Sequence, residues 1–337
     1  MQRLLKSLFD FIKRHSTAVR VIVVVLLFWI VLRNIQPGQI VRAFAGADGR
    51  FLFAAAALML PNLLLQVAKW HFILRTMNPK PSLAAAVYSV LGGFFLGAAS
   101  PGRTGEYARG LLMPGCSKVR IASLTVLDKG FNQVVVVIAG LVSLSFLLPR
   151  PYSFIPIAAE VFFIAALINL HRLRPVLERL VNVFSQTKHV DNALAAFDAL
   201  SPATIFGMTL YSVGFYLVYA VQYYLMIRAF TYAPADVAAK TLPVIYLVNL
   251  LLPVSFGDFG IKELTAVSLF SSFTIPGGAA FSATLTSNVM TFLLPSMAGG
   301  IMIALWRPRR VEEARSSDGQ TAPLSDSSHR RAVSETS

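Results

Sequence analysis

The sequence is poor in charged residues and in cysteine. Only 14% of its 337 residues are charged, whereas a soluble domain carries about 25%. The lone cysteine, Cys116, excludes an internal disulfide, and the five histidines are scattered without metal-ligand spacing. The sequence therefore predicts neither a metal site nor a cofactor, and it indicates that lipid rather than water is the main solvent.

The chain also lacks a basic stripe, although its formal net charge is +14. The excess of lysine and arginine lies mostly at segment ends and in the tails. Nucleic-acid binding needs a clustered basic face with aromatic residues for base stacking, so we predict no nucleic-acid partner. Orientation in a membrane explains the positive charge more simply.

Long apolar runs dominate the sequence, which is 55% hydrophobic with a mean hydropathy of +0.64. A spanning helix needs about 20 apolar residues. We predict an all-α polytopic transmembrane bundle with six full spans, at roughly 18–35, 51–72, 121–148, 152–170, 204–228 and 280–305. Two further apolar stretches, 83–99 and 241–254, are short and run into segments rich in proline, glycine and charge.

The chain ends differ from this transmembrane domain, which we place at 18–306. Residues 1–17 have apolar and basic residues at helical spacing, which favours an amphipathic helix on the membrane surface or an ordinary basic flank of the first span. A retained signal anchor fits the N-terminus better than a cleaved signal peptide. Residues 307–337 lack apolar content and predict a disordered cytoplasmic tail.

The two short apolar stretches end in matching motifs. We call residues 99–109 the first break and residues 251–263 the second break; each contains proline, three residues, glycine and then an acid. Such interruptions at corresponding places in two halves indicate a transporter's binding site, although two turn-rich loops remain an alternative. The pseudo-repeats lie around 83–148 and 241–305, and the residues expected to break the helices are Pro101, Gly102, Gly105, Pro253, Gly257 and Gly260.

The distribution of arginine favours re-entrant hairpins at both breaks. With the N-terminus inside, two hairpins that return to their own side place the basic loop 171–203 and the C-terminal tail in the cytoplasm. Eight complete spans would move that loop outside. The re-entrant topology leaves Arg33, Arg42 and Arg50 on the outer side, and it makes the hairpins inverted relative to each other. We expect a multi-pass protein of the cytoplasmic (inner) membrane.

The breaks have the chemistry of an anion site. Unpaired backbone N–H groups are tolerated at membrane depth only where protein or a watery cavity surrounds them, and a helix N-terminus with arginine nearby suits a phosphate. Ionisable residues at that depth are usually functional. The predicted substrate-binding residues are Arg103, Glu106, Arg109, Asp128, Lys129, Ser255, Asp258, Lys262, Glu263 and Asn288.

Other roles stay open for some of these residues. The charged side chains of the breaks would alternatively pair with each other and hold the hairpins in shape, and Asp128 and Lys129 would alternatively sit at the membrane interface. Five tyrosines crowd the 204–228 span, for which packing and interfacial anchoring are the expected roles. They are Tyr211, Tyr216, Tyr219, Tyr223 and Tyr224.

At these residues, over roughly 15–306, the chain resembles the lysylphosphatidylglycerol synthase transmembrane-region family, also called flippase-like proteins. The family's first motif resembles Pro-x-Arg-x-Gly-Glu-x-x-Arg and is complete here as Pro101, Arg103, Gly105, Glu106 and Arg109. The segment 69–74, Lys-Trp-His-Phe-Ile-Leu, is similar to the family's Arg-Trp-containing helix end.

The family's second motif resembles Pro-x-Ser-x-Gly-Gly-x-Gly-x-Arg-Glu. It is matched here by Pro253, Ser255, Gly257, Gly260 and Glu263. Asp258 replaces a glycine and adds a negative charge, and Lys262 replaces the arginine. We expect no soluble aminoacyl-transfer domain like that of the full synthase, because the segment after residue 306 is too short to supply it.

The resemblance implies lipid translocation or glycolipid-related work, with an anionic or phosphate-bearing membrane lipid as partner. We expect a flippase without catalytic residues. One alternative is a membrane enzyme with acid/base groups from Glu106, Asp128, Asp258 and Glu263. Another is an accessory subunit of a lipid-modifying enzyme, and a homodimer stays open.

Overall fold

The computed structural model describes residues 37–76, 81–98, 100–113, 118–168, 201–252 and 259–305. Several sequence-based predictions lie outside these residues. They concern the segment 1–17, the span 18–35, nearly all of the loop 171–203, the tail 307–337, and Pro253, Ser255, Gly257 and Asp258.

The described residues form α-helices together with one 3-10 helix and one π-helical turn. The first half contains α1 (Pro37–Ala45), α2 (Gly49–Ala57), α3 (Met59–Leu74), α4 (Leu83–Ala98), the 3-10 helix (Pro101–Leu112), α5 (Lys118–Leu147) and α6 (Phe154–Ile168). The second half contains α7 (Pro202–Phe230), α8 (Ala235–Leu251), α9 (Ile261–Ser271), α10 (Gly277–Asn288), the π turn (Val289–Leu293) and α11 (Leu294–Leu305).

Four helical stretches are long and apolar enough to cross a membrane, which confirms an all-helical, multi-pass protein. They are Gly49–Leu74, Arg120–Leu147, Pro202–Phe230 and Gly277–Leu305, and they match the predicted spans at 51–72, 121–148, 204–228 and 280–305. The predicted span at 152–170 contains α6, which is described as far as Ile168.

Local residue chemistry explains where the helices begin at the breaks. Pro101 occupies the first turn of the 3-10 helix, where its missing N–H costs nothing. Gly260 precedes α9 with φ 108° and ψ −74°, a backbone conformation that only glycine adopts readily. Both breaks therefore lie at the junction of two short helices.

The order of elements repeats in the two halves. In the first, α4 with 16 residues precedes the 12-residue 3-10 helix and the long α5. In the second, α8 with 17 residues precedes the 11-residue α9 and the long stretch Gly277–Leu305. Each half thus places two short helices before a long one.

The buried apolar residues form two main cores. The first core joins α3, α4 and the start of α5 around Trp70, Phe94 and Leu124. The second core joins α7 to α10 around Tyr223, Ile245 and Phe270. Each core also takes residues from the other half of the chain: Met208 and Phe292 pack in the first, and Ala55 with Val136 in the second.

The last helix crosses back to the first repeat. Ser296 of α11 donates a hydrogen bond to the carbonyl oxygen of Phe94 at 3.1 Å. Gly299 lies so close to the Leu91 carbonyl group that a Cβ atom would collide with it. The absence of side chains at such positions is how membrane helices approach closely, and it fixes α11 against α4.

Candidate functional site

The first break folds α4 and the 3-10 helix into an antiparallel pair. Gly97 faces the side chain of Glu106, and the earlier Gly93 faces the later Arg109. A Cβ atom on Gly105 would collide with the backbone carbonyl of Leu96, while its N–H donates to Ser100 Oγ at 2.5 Å. Glycine is therefore required at 105, because two backbones meet there.

The packing of this pair aims Arg109 at Asp128 on α5. Arg109 Nη2 donates to Asp128 Oδ2 at 2.8 Å, and its Nε donates to Thr125 Oγ1 at 2.8 Å. The guanidinium carbon lies 3.6 Å from the ring centroid of Trp70. Arg109 is 5% exposed and Asp128 is 7% exposed, so the pair is part of the protein interior.

A second buried cation completes the surroundings of Asp128. Lys69 Nζ lies 3.2 Å from Asp128 Oδ1 and donates to the Asp128 carbonyl oxygen at 2.7 Å. It also donates to Asn132 Oδ1 at 2.6 Å. A buried charge is tolerated when it is paired and hydrogen-bonded, and this carboxylate has cations on both of its oxygens.

Glu106 forms a separate pair of ion contacts nearer to open space. Its carboxylate contacts the guanidinium of Arg103 and the ammonium of Lys129. Arg103 has φ 58°, an uncommon conformation for a residue with a side chain, and its guanidinium carbon lies 4.2 Å from the centroid of Phe292. Arg103 is thereby held between the first repeat and the last membrane-spanning stretch.

The second break uses the same kind of contact from a short helix to a long one. Glu263 Oε2 accepts from the Gly260 N–H, and its Oε1 accepts from Asn288 Nδ2, both at 2.6 Å. Lys262 Nζ donates to Asn288 Oδ1 at 2.7 Å and to Tyr219 OH at 3.2 Å. Lys262 and Glu263 are 3% and 1% exposed.

Both repeats contribute to one cavity of about 310 Å³. Arg103, Glu106 and Lys129 line it from the first repeat, and Lys262 lines it from the second. Arg109 and Asp128 border a small neighbouring cavity of about 20 Å³. Glu263 and Asn288 lie behind Lys262, while Ser255 and Asp258 are outside the described residues.

The cavity has an excess of positive charge. Among the described residues that line it, three side chains are cationic and one, Glu106, is a carboxylate. Cations in a partly enclosed, low-dielectric space interact strongly with an anion. The arrangement is suited to hold a phosphate or another anionic group.

Sequence reasoning missed a polar stripe on α3. Asn62, Gln66 and Lys69 follow one another at spacings of four and three residues, so they share one helical face. Asn62 and Gln66 line the cavity, and Lys69 borders the small one. Polar residues at helical spacing in an otherwise apolar span were the signal that would have found them.

The aromatic wall was only partly expected. Tyr216 and Tyr219 line the cavity together with Tyr246 of α8, whereas Tyr223 is fully buried in the second core and contacts Thr284. The five tyrosines of the 204–228 span therefore divide between packing and the cavity wall.

The described part of the chain contains no group of three or more His, Cys, Asp or Glu residues suited to a metal ion. The two carboxylates of the first repeat, Glu106 and Asp128, are each in contact with two cations. Each carboxylate therefore holds two cationic side chains in place.

Comparison with known proteins agrees with the motifs of the two breaks. The family model described as the lysylphosphatidylglycerol synthase TM region matches residues 17–299. No curated protein matches the chain.

Proposed function

Since the chain belongs to the lysylphosphatidylglycerol synthase transmembrane-region family, we propose that it moves a phospholipid or lipid-linked headgroup across the cytoplasmic membrane. The headgroup enters the cavity between the two breaks, and its acyl chains stay in the bilayer. The observation that carries this proposal is the meeting of Arg103 and Lys129 from one repeat with Lys262 from the other in a single cavity.

A translocator needs two parts that move relative to each other around one site. The two halves of the chain supply such parts, because each contributes a pair of short helices and residues that line the cavity. In the proposed cycle, the short helix pairs at the breaks are re-entrant and inverted, and one repeat rocks against the other to open the site to alternate sides.

We propose transport rather than catalysis. A general acid or base has to reach the reacting proton. Asp128 instead lies between Lys69 and Arg109, and Glu106 lies between Arg103 and Lys129. These carboxylates position cations, and the cations receive the headgroup.

Reconstitution into vesicles tests the transport function. Purified wild-type protein and Arg103→Ala are placed in phosphatidylcholine vesicles that contain a trace of acyl-labelled phosphatidylglycerol, and dithionite bleaching reports the labelled lipid in the outer leaflet. We expect fast exchange between leaflets for the wild type and a loss of about tenfold or more for Arg103→Ala, because a charge-assisted contact contributes about 1.5–3 kcal/mol.

Arg42→Ala is the matched control. Arg42 is exposed on α1 and donates to Gly38 O of its own helix at 3.1 Å, so its removal takes away an arginine without touching the cavity. Transport by Arg42→Ala at the wild-type rate is expected. Bleaching in wild-type vesicles that equals the rate in protein-free vesicles, for this lipid and for anionic glycolipids alike, would refute the transport function.

A further inference from the structure

We infer that the cavity binds a headgroup in which a hydroxyl-rich ring is attached to the phosphate, as in a glycosyl phosphate or an inositol phosphate. This inference rests on the proposed function and specifies its substrate class. It comes from the part of the cavity wall that the cations do not explain, namely carboxamide and tyrosine side chains.

Carboxamides are unusually frequent in this wall. Five of them line the cavity: Asn62, Gln66, Asn132, Gln133 and Asn249. A carboxamide both donates and accepts hydrogen bonds, and burying one without a partner in a membrane costs free energy. An acyl chain offers such groups nothing, so their presence in the cavity indicates a polar ligand.

The orphaned atoms of this wall include both donors and acceptors. Asn62 Oδ1 accepts from Gln66 Nε2 at 3.0 Å, which leaves Asn62 Nδ2 without a partner in the described part of the chain. Asn249 Oδ1 and Tyr216 OH also have no hydrogen-bond partner among the described residues. Buried polar atoms normally find partners, so the packing leaves hydrogen-bonding capacity unused in amide and tyrosine side chains of this wall.

The chemistry of the carboxamides separates the classes of ligand. Each of them carries N–H groups that donate and an oxygen atom that accepts. An ionised phosphate only accepts hydrogen bonds, so it satisfies the donors of this wall and not its acceptors. A hydroxyl group both donates and accepts and satisfies either kind of group. A ligand that carries several hydroxyl groups beside a phosphate therefore complements the amides and the cations of the cavity together.

The tyrosines favour a ring over a flexible chain. Tyr219 and Tyr246 stack with centroids 4.9 Å apart, and Tyr216 meets Tyr246 edge to face at 6.3 Å. All three line the cavity, so they offer a rigid wall with an apolar body and polar tips. A saturated ring with hydroxyl groups at its edge and C–H groups on its face fits such a wall.

Charge and size limit the headgroup further. Three lining cations against one lining carboxylate disfavour a headgroup that is itself positively charged. The volume of about 310 Å³ is at the small end of the roughly 300–1,000 Å³ typical of ligand sites. The cavity therefore holds a headgroup of about one ring, while the lipid tails stay outside.

Binding of soluble headgroup analogues to the purified full chain tests this specificity. The chain is placed in phosphatidylcholine nanodiscs and titrated by calorimetry with glucose 1-phosphate, myo-inositol 1-phosphate, glycerol 3-phosphate and inorganic phosphate. We expect at least one ring phosphate to bind about tenfold more tightly than the two ligands without a ring, a difference of about 1.4 kcal/mol. The better of the two ring phosphates identifies the source as a glycosyl or an inositol lipid.

Two variants connect the preference to the wall. Tyr216→Phe removes one hydroxyl without a change of shape, and Asn249→Leu removes one carboxamide of the wall. Both are expected to weaken ring-phosphate binding about three- to tenfold, as for the loss of one buried hydrogen bond, and to leave inorganic phosphate binding unchanged. Arg103→Ala is expected to weaken the binding of every phosphate.

Equal affinities for glycerol 3-phosphate and both ring phosphates would overturn the inference. The inference would also be overturned if Tyr216→Phe and Asn249→Leu both kept the wild-type ratio of ring-phosphate to inorganic-phosphate affinity. These measurements need no translocation. Absent transport with an intact ring preference would refute the transport function alone, and transport without a ring preference would refute this inference alone.

Discussion

Arg109 stacks its guanidinium group on the indole ring of Trp70, with 3.6 Å between the guanidinium carbon and the ring centroid. The same group reaches Asp128 and Thr125 through two different nitrogen atoms, each at 2.8 Å. A planar fork that stacks and donates in two directions is a property of arginine and not of lysine. This contact ties the first break to α3 and α5 at once.

Substitutions of Arg109 by methionine and by lysine therefore separate the effect of its charge from the effect of its planar shape. Arg109→Met leaves buried Asp128 with Lys69 as its remaining described cation, and we expect a loss of about 3–5 kcal/mol of stability. Arg109→Lys keeps the charge and loses the stacking and one hydrogen bond, for an expected loss of about 1–3 kcal/mol. Thermal unfolding in detergent, with the fraction of monodisperse protein as the readout, measures both stability losses. Equal stability of Arg109→Met and the wild type would contradict the role of Arg109 as a partner of buried Asp128.

The hydrogen bond from Asn288 Nδ2 to Glu263 Oε1 predicts that a substitution of Asn288 can restore the stability lost by a substitution of Glu263. In Glu263→Gln one of the two accepting oxygens becomes an N–H₂ group. That group then faces another donor, either the Gly260 N–H or Asn288 Nδ2, so the protein should lose about 1–3 kcal/mol of stability. Adding Asn288→Asp restores an acceptor for that amide and keeps one for Lys262, because the carboxylate has only moved across the contact.

The double variant Glu263→Gln with Asn288→Asp should thus be more stable than Glu263→Gln alone, with a coupling energy of about 0.5–3 kcal/mol. A double-mutant cycle on the melting temperature gives this value. Additive losses would show that the two side chains do not act as a pair.

Two glycines at the breaks are required for different reasons. Gly105→Ala places a Cβ atom against the Leu96 carbonyl, and Gly260→Ala forces a side chain to adopt φ 108°. Each should lose about 1–3 kcal/mol of stability.

Gly130→Ala is the matched control, because a Cβ there meets nothing within 4 Å and alanine favours the helix. This substitution should leave the stability unchanged or raise it. Melting temperatures of the three variants decide the point, and an unchanged value for Gly105→Ala would contradict the close backbone approach.

Labelling of single cysteines tests the inverted arrangement. In a Cys116→Ser background, a cysteine is introduced as Arg150→Cys, Ala203→Cys or Tyr232→Cys, and intact cells are treated with a membrane-impermeant maleimide. Re-entrant helix pairs place residues 150 and 232 outside and residue 203 in the cytoplasm. The first two should therefore react in intact cells, and Ala203→Cys only after permeabilisation. The opposite pattern at all three positions is the signature of eight complete spans.

The candidate residues of the two breaks were found from sequence because polar and charged residues are conspicuous in an apolar chain. Arg103, Glu106, Lys129 and Lys262 line the cavity, and Asp128 and Asn288 hold their neighbours in place. Lys69 was seen only as part of a motif, because nothing in its local sequence shows that Asp128, 59 residues later, accepts its hydrogen bond. The sequence analysis did not anticipate the 3-10 helix, in which Glu106 and Arg109, three residues apart, lie directly in line.

The sequence by itself determined the membrane-spanning helices and the positions of the breaks. Hydropathy over about 20 residues and the conformational limits of proline and glycine are local properties, and they act wherever the chain lies. Tertiary structure alone decided which polar groups meet: the pairing of Lys69 with Asp128, the contact of Lys262 with Tyr219, and the amide and tyrosine wall. The physical reason is that a buried polar side chain is satisfied by the groups that helix packing brings within about 3 Å, and packing across two repeats is not encoded in any one segment.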